Sequence, residues 1–157
     1  MLTRVIPLMF VLASVPFNSS AESVEDITQS LSGRWSIDSG INQGTPLTPA
    51  EVTDTFAIIT PKVITTFDSQ EKEVYKASYT IDTGSSPMQI DMVATRGGQQ
   101  VKSLGIIRFE PMNENKQKQI TLAYSLDPSE RPRTFDSPQG SKVMVFEMSS
   151  NLPVPKK

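Results

Sequence analysis

Ile81-Asp82-Thr83-Gly84-Ser85 is the stretch of this chain whose residue types could most directly do chemistry. An Asp leaving an apolar strand, with a Gly behind it for a tight turn, is one way to present a carboxylate for acid–base work. Such sites use two Asp residues that share one proton. This sequence holds a single Asp-Thr-Gly, so the second carboxylate would have to come from a second copy of the chain. The plain alternative is a hairpin turn, which Asp, Thr, Gly and Ser at a strand end also make. Other chemistries fall to composition. With no His and no Cys in 157 residues, Ser-His-Asp and Cys-His pairs, His/Cys metal centres and disulfides are excluded. The remaining carboxylates are scattered: Glu71 and Glu73 share a strand face, and Asp82 and Asp91 flank one hairpin. No run has EF-hand spacing and no Gly-rich loop precedes a helix, so Ca²⁺ and nucleotide-phosphate sites lack support. No catalytic residue, metal ligand or cofactor is assigned.

Lys plus Arg total 15 against 17 Asp plus Glu, a net charge of −2. Gripping nucleic acid needs a clustered basic surface, which this balance argues against. Lys116 and Lys118, beside Asn113 and Gln117, read as a solvated hairpin tip. At the N-terminus Arg4 precedes the apolar stretch Val5 to Val15, bounded by Pro16 and interrupted by Pro7. That stretch is shorter than the roughly 20 residues of a membrane span. Ser19-Ser20-Ala21 then supplies small residues where a signal peptidase cleaves, before Glu22. The expectation is a cleaved signal peptide over 1–21, with export to the periplasm or beyond and no stable membrane span afterwards; an uncleaved anchor is the alternative. No Cys stands near the junction, so a lipoprotein anchor is excluded.

The elements that would position any site are strands. After a short helical or irregular lead-in over 22–30, period two takes over in a domain spanning 31–150, followed by a tail at 151–157. Trp35 and Ile37 begin a strand that Ser39-Gly40 and Asn42-Gln43-Gly44 end. Thr48-Pro49-Ala50-Glu51 reads as a Thr cap, Pro at the first helical position and Glu at the third, a short helix near 49–53. Phe56 to Ile59 and Val63 to Phe67 form a hairpin pair. From Glu73 to Asp82 the alternation is cleanest, with Tyr75, Ala77, Tyr79 and Ile81 on one face. Ile90, Met92 and Ala94 mark the next strand, and Leu104 to Phe109, Ile120 to Tyr124 and Val143 to Met148 follow. Asp127 to Gly140 is a Pro- and Ser-rich connection that no strand pattern claims. Eight antiparallel strands with one short helix predict an all-β closed barrel. A two-sheet sandwich shares the same periodicity.

Leu31-Ser32-Gly33-Arg34-Trp35 sets a Gly-x-Trp motif at the opening of the first strand. Gly44-Thr45-Pro46-Leu47 with Glu51, then Leu104-Gly105-Ile106, then Glu130-Arg131-Pro132 with Thr134-Phe135, follow in order. Together they resemble a small exported lipocalin-like (calycin-type) domain common in planctomycete bacteria, over about residues 31–148. The resemblance implies an eight-stranded barrel closed at one end by Trp35, and no established ligand. It also implies that Arg131 stacks on Trp35, both residues serving stability. Asp82-Thr83-Gly84-Ser85 is similar to the signature of aspartic peptidases, which for a single copy implies a homodimer.

If Tyr75, Tyr79, Met92, Ile106, Leu122 and Tyr124 point inward, they line an apolar lumen with phenol hydroxyls as directional groups. The same rings could fill the barrel, whose interior is barely wide enough for side chains. With 136 residues after the signal and short loops, a mostly filled barrel is favoured by a small margin. Ile106 and Ile107 are both apolar, so the parity of their strand stays open. The expectation is a monomeric, non-catalytic module binding a small apolar ligand or an envelope protein. A filled structural or interaction barrel is the alternative.

Overall fold

The computed structural model describes residues 22–111 and 117–150. The expected signal segment 1–21, the centre of the expected hairpin tip at 112–116 and the tail 151–157 lie outside them. The strands are β1 (Gly33–Asn42), β2 (Thr45–Pro46), β3 (Phe56–Ile59), β4 (Val63–Phe67) and β5 (Glu73–Asp82), then β6 (Met88–Arg96), β7 (Gln99–Glu110), β8 (Gln119–Ser125) and β9 (Val143–Ser150). From β3 to β9 each strand pairs antiparallel with the next, and β1 pairs with β3. β1 also pairs with β9, from Trp35 opposite Ser150 to Asn42 opposite Met144. That seam closes the sheet into an eight-stranded barrel and sets the sandwich aside. A bulge between Ile37 and Ser39 bends β1 where it serves both neighbours. The ninth strand, β2, is a two-residue addition at the end of β1.

Alternation puts one face of each strand inside. Tyr79, Ile81, Ile90, Ile107, Ile120 and Met148 pack into one core with Trp35 and Ile59. The lead-in belongs to this core. Residues 24–31 form α1 (Val24–Leu31), whose first turn is fixed by reciprocal capping: Asp26 N–H donates to Ser23 Oγ at 3.2 Å and Ser23 N–H to Asp26 Oδ2 at 3.3 Å. Ile27 and Leu31, four apart on one face, are buried against the barrel. Trp35 is 1 % exposed. Its indole N–H donates to Leu31 O at 2.7 Å and its ring meets Phe109 edge to face. This packed end holds the Asp82–Met88 connection, the end of β7 and the start of β8. The opposite end carries α2 (Pro49–Val52), where Thr48 N–H and Oγ donate to Glu51 Oε2, each at 2.8 Å.

Two expectations are corrected outside the barrel. The β8–β9 connection is a strap lying on the outer face, and it covers a second small core. Ile106, Ala123 and Val145, pointing outward, pack there with Phe135, Val143 and Ile41. Ile106 is therefore under the strap, and Ile107 is the lumen residue. Sequence periodicity fails at β7 because both of its faces are covered there. Arg131 is an anchor of the strap. It donates through Nη1 to Ile90 O at 3.1 Å and Gly105 O at 2.7 Å, and through Nη2 to Asp91 Oδ1 at 2.5 Å. With its guanidinium held there, the expected stack on Trp35 is not formed. At the strap's other end Ser137 Oγ accepts from Gly44 N–H at 2.9 Å and donates to Val143 O at 2.7 Å. A Cβ on Gly44 would lie 2.3 Å from Gln139 Cα, so only glycine lets the two backbones meet.

Candidate functional site

The half of the barrel away from Trp35 is not filled. It holds a cavity of about 440 Å³, open at the α2 end. Ile37, Ala57, Ile64, Met92, Leu122 and Met148 line it, with Phe67 and Phe146 beside them. Ile37 and Met148, paired across the β1–β9 seam, stand next to the packed half. Gly40 faces inward opposite Phe146, and a Cβ there would lie 2.5 Å from Leu47 Cδ1. Its bare backbone makes the room in which Leu47 reaches the rim.

Of the residues expected to line the lumen, Tyr75, Met92, Leu122 and Tyr124 are brought together around this cavity. Tyr79 points inward but lies in the packed half, where its hydroxyl donates to Thr60 O at 2.7 Å. Ile106 is outside the barrel, as above. Arg96 was missed by the sequence reading. The alternation Ile90, Met92, Ala94 carries one step further to Arg96, and that extension was the signal for it. A two-residue turn follows, Gly97 and Gly98 at φ +55° and +77°, with Arg96 paired to Gln99. Both positive angles favour glycine, and the tight turn fixes where Arg96 leaves the strand.

The polar groups of the cavity are few. Burial pushes the Tyr124 phenol up to about 12, the neighbouring Tyr75 adding to the rise and the charge of Arg96 opposing it. Tyr75 is raised for the same first reason and is likewise opposed by Arg96. Neither phenol has a protein hydrogen-bond partner among the described residues, and Arg96 has neither hydrogen bond nor salt bridge there. Tyr124 stacks on Phe146 at 6.3 Å between centroids. The lining carboxylates are tied locally. Glu51 holds the α2 cap, and Asp68 Oδ1 accepts from Gln70 and Lys72 N–H, both at 2.9 Å. The cavity is thus a mainly apolar pocket with two protonated phenols and one unpartnered cation at its mouth.

Asp82 lies at the other end of the barrel. Its Oδ1 accepts from Gly84 N–H at 2.8 Å and its Oδ2 from Ser85 Oγ at 3.2 Å, both within its own turn. Both oxygens serve the β5–β6 hairpin, the plain alternative for Asp-Thr-Gly-Ser. Comparison with family models, curated proteins and solved structures finds no match, so the site is read from its own geometry. Among the described residues no helix is long and apolar enough to cross a membrane.

The phenols give a direct check on how dry the barrel interior is. All three tyrosines of the chain have raised pKa values, Tyr79 and Tyr124 to about 12. A phenol raised in the folded state adds stability that is complete below its unfolded value of about 10 and is lost as pH rises through the folded value. Alkaline ultraviolet titration will therefore show little tyrosinate near pH 10 and a main rise toward pH 12, with unfolding alongside. Ordinary titration of all three near 10 would mean that these rings are wet.

Proposed function

We propose that this chain is an exported, monomeric, non-catalytic binding barrel that carries a small, mainly apolar molecule in its open half. One observation carries the reading. The same fold packs its Trp35 half solidly yet leaves about 440 Å³ free in the other, within the range of small-molecule pockets. The two phenols facing that space without a protein partner give a ligand its orientation. The resemblance to exported lipocalin-like domains and the signal-like N-terminus support a place outside the cytoplasm.

Native mass spectrometry of the chain exported from a bacterial host tests this, set against its denatured mass. The expected result is a reproducible excess mass that disappears on denaturation and whose removal lowers the melting temperature. A ligand held at a hundred times its Kd adds about 2.7 kcal/mol. A bare mass, with no melting shift on adding an extract of the host's small molecules, would leave a barrel that works through its surface.

A further inference from the structure

We propose that the cavity takes an anionic amphiphile, a single apolar tail ending in a carboxylate, with the carboxylate at the mouth between Arg96 and the hydroxyls of Tyr75 and Tyr124. This rests on the cavity being a binding site and adds the class of ligand. The mouth is rich in donors. A guanidinium has five N–H donors and no acceptor, and a protonated phenol with no protein partner has a free O–H to give. The head group that matches such a set is one that only accepts, and an ionised carboxylate does so on both oxygens. An ammonium head would meet the like charge of Arg96, and a hydroxyl head would leave that charge unpaired.

Two carboxylates, Glu51 and Asp68, also line the cavity, so the preference for an anionic head rests on Arg96 and the two phenols lying together. Glu51 and Asp68 are held by α2 and by the turn after β4, and Arg96 is the ionic side chain that acts on both phenols. Below the mouth, Met92 and Leu122 face the tail with no polar atom to satisfy. At about 440 Å³ the cavity sits toward the small end of ligand pockets, roughly 300–1,000 Å³. That suits one medium-length chain.

Calorimetric titration of the full chain with decanoate, decanol and decyltrimethylammonium separates head from tail. Decanoate is expected to bind roughly ten- to a hundredfold more tightly than decanol, the span of charge-assisted hydrogen bonds, and the ammonium probe most weakly. Arg96→Ala should remove the preference for decanoate while leaving decanol unchanged. Tyr124→Phe, which deletes one oxygen, should lower decanoate affinity severalfold and keeps the test valid if the Arg96 variant folds poorly. Equal binding of the three probes, or a preference that survives Arg96→Ala, overturns the head-group assignment and leaves the binding barrel standing. Failure of all three to bind overturns both.

Discussion

Trp35→Ala is expected to lose about 3–5 kcal/mol of stability, the cost of removing a large buried ring from a core that cannot fully collapse. Against a total of about 5–15 kcal/mol for a domain of this kind, that puts the variant near the edge of folding. The effect has three sources. The ring fills the packed end, it meets Phe109 edge to face, and its N–H satisfies Leu31 O at the last turn of α1. Trp35→Phe keeps most of the apolar volume and deletes the donor, so it should cost less, about 1–3 kcal/mol for the orphaned carbonyl. Urea unfolding followed by circular dichroism measures both, since the chain has no other Trp to report by fluorescence. A loss under 1 kcal/mol for the Ala variant would mean that this end is held by other contacts.

Arg131→Ala carries the second large effect, about 2–3 kcal/mol. Charge-assisted hydrogen bonds contribute about 1.5–3 kcal/mol each when sheltered. Arg131 and Asp91 keep side-chain exposures of 22 % and 33 %, so screening reduces the sum. Lysine will not rescue the site, because a single ammonium cannot reproduce a planar fork that holds two carbonyls and a carboxylate. Asp91 adds a pH signature. Burial works against its charge, but hydrogen bonds and charge from Arg131 and Lys102 win and hold its carboxyl below the ordinary range. A lowered carboxyl pKa stabilises the fold above its unfolded value of about 3.9, and that stability is lost as pH falls through the folded value. The wild-type chain should therefore show an acid limb that flattens in Arg131→Ala, with faster proteolytic cutting between Asp127 and Gly140. An unchanged acid limb and an uncut strap would place the strap's hold elsewhere.

The strands were legible because most keep one face wet and one dry, and Tyr75 to Ile81 shows this without a break. The same rule found Met92, Leu122 and Tyr124 on the cavity wall. It failed at Ile106 because the strap dries the outside of β7, and nothing local in that strand announces a covering by Phe135, far along the chain. Arg131 drew notice through its setting in Glu-Arg-Pro, but its partners are backbone carbonyls and Asp91, and carbonyls leave no trace in a residue pattern. α1 was left between helix and irregular chain because Ile27 and Leu31 alone define its buried face. The Ser23–Asp26 cap that fixes its start uses an Asp where the familiar pattern has Glu or Gln. Whether the barrel was full or hollow was beyond periodicity. That depends on Gly40 and on how far the rings of Phe67 and Phe146 lean, which are matters of volume.

The seam between β1 and β9 has a consequence in time. Trp35 lies opposite Ser150, so the first strand of the barrel waits for the last before its second neighbour exists. Pairings across such sequence distances are slow to form, because a long loop must be closed before any contact rewards it. As the chain folds, local hairpins such as β5–β6 can form early, but neither the plugged end nor the hollow end exists until β9 has paired with β1. Any ligand of the open half, as proposed above, would therefore meet only closed barrels.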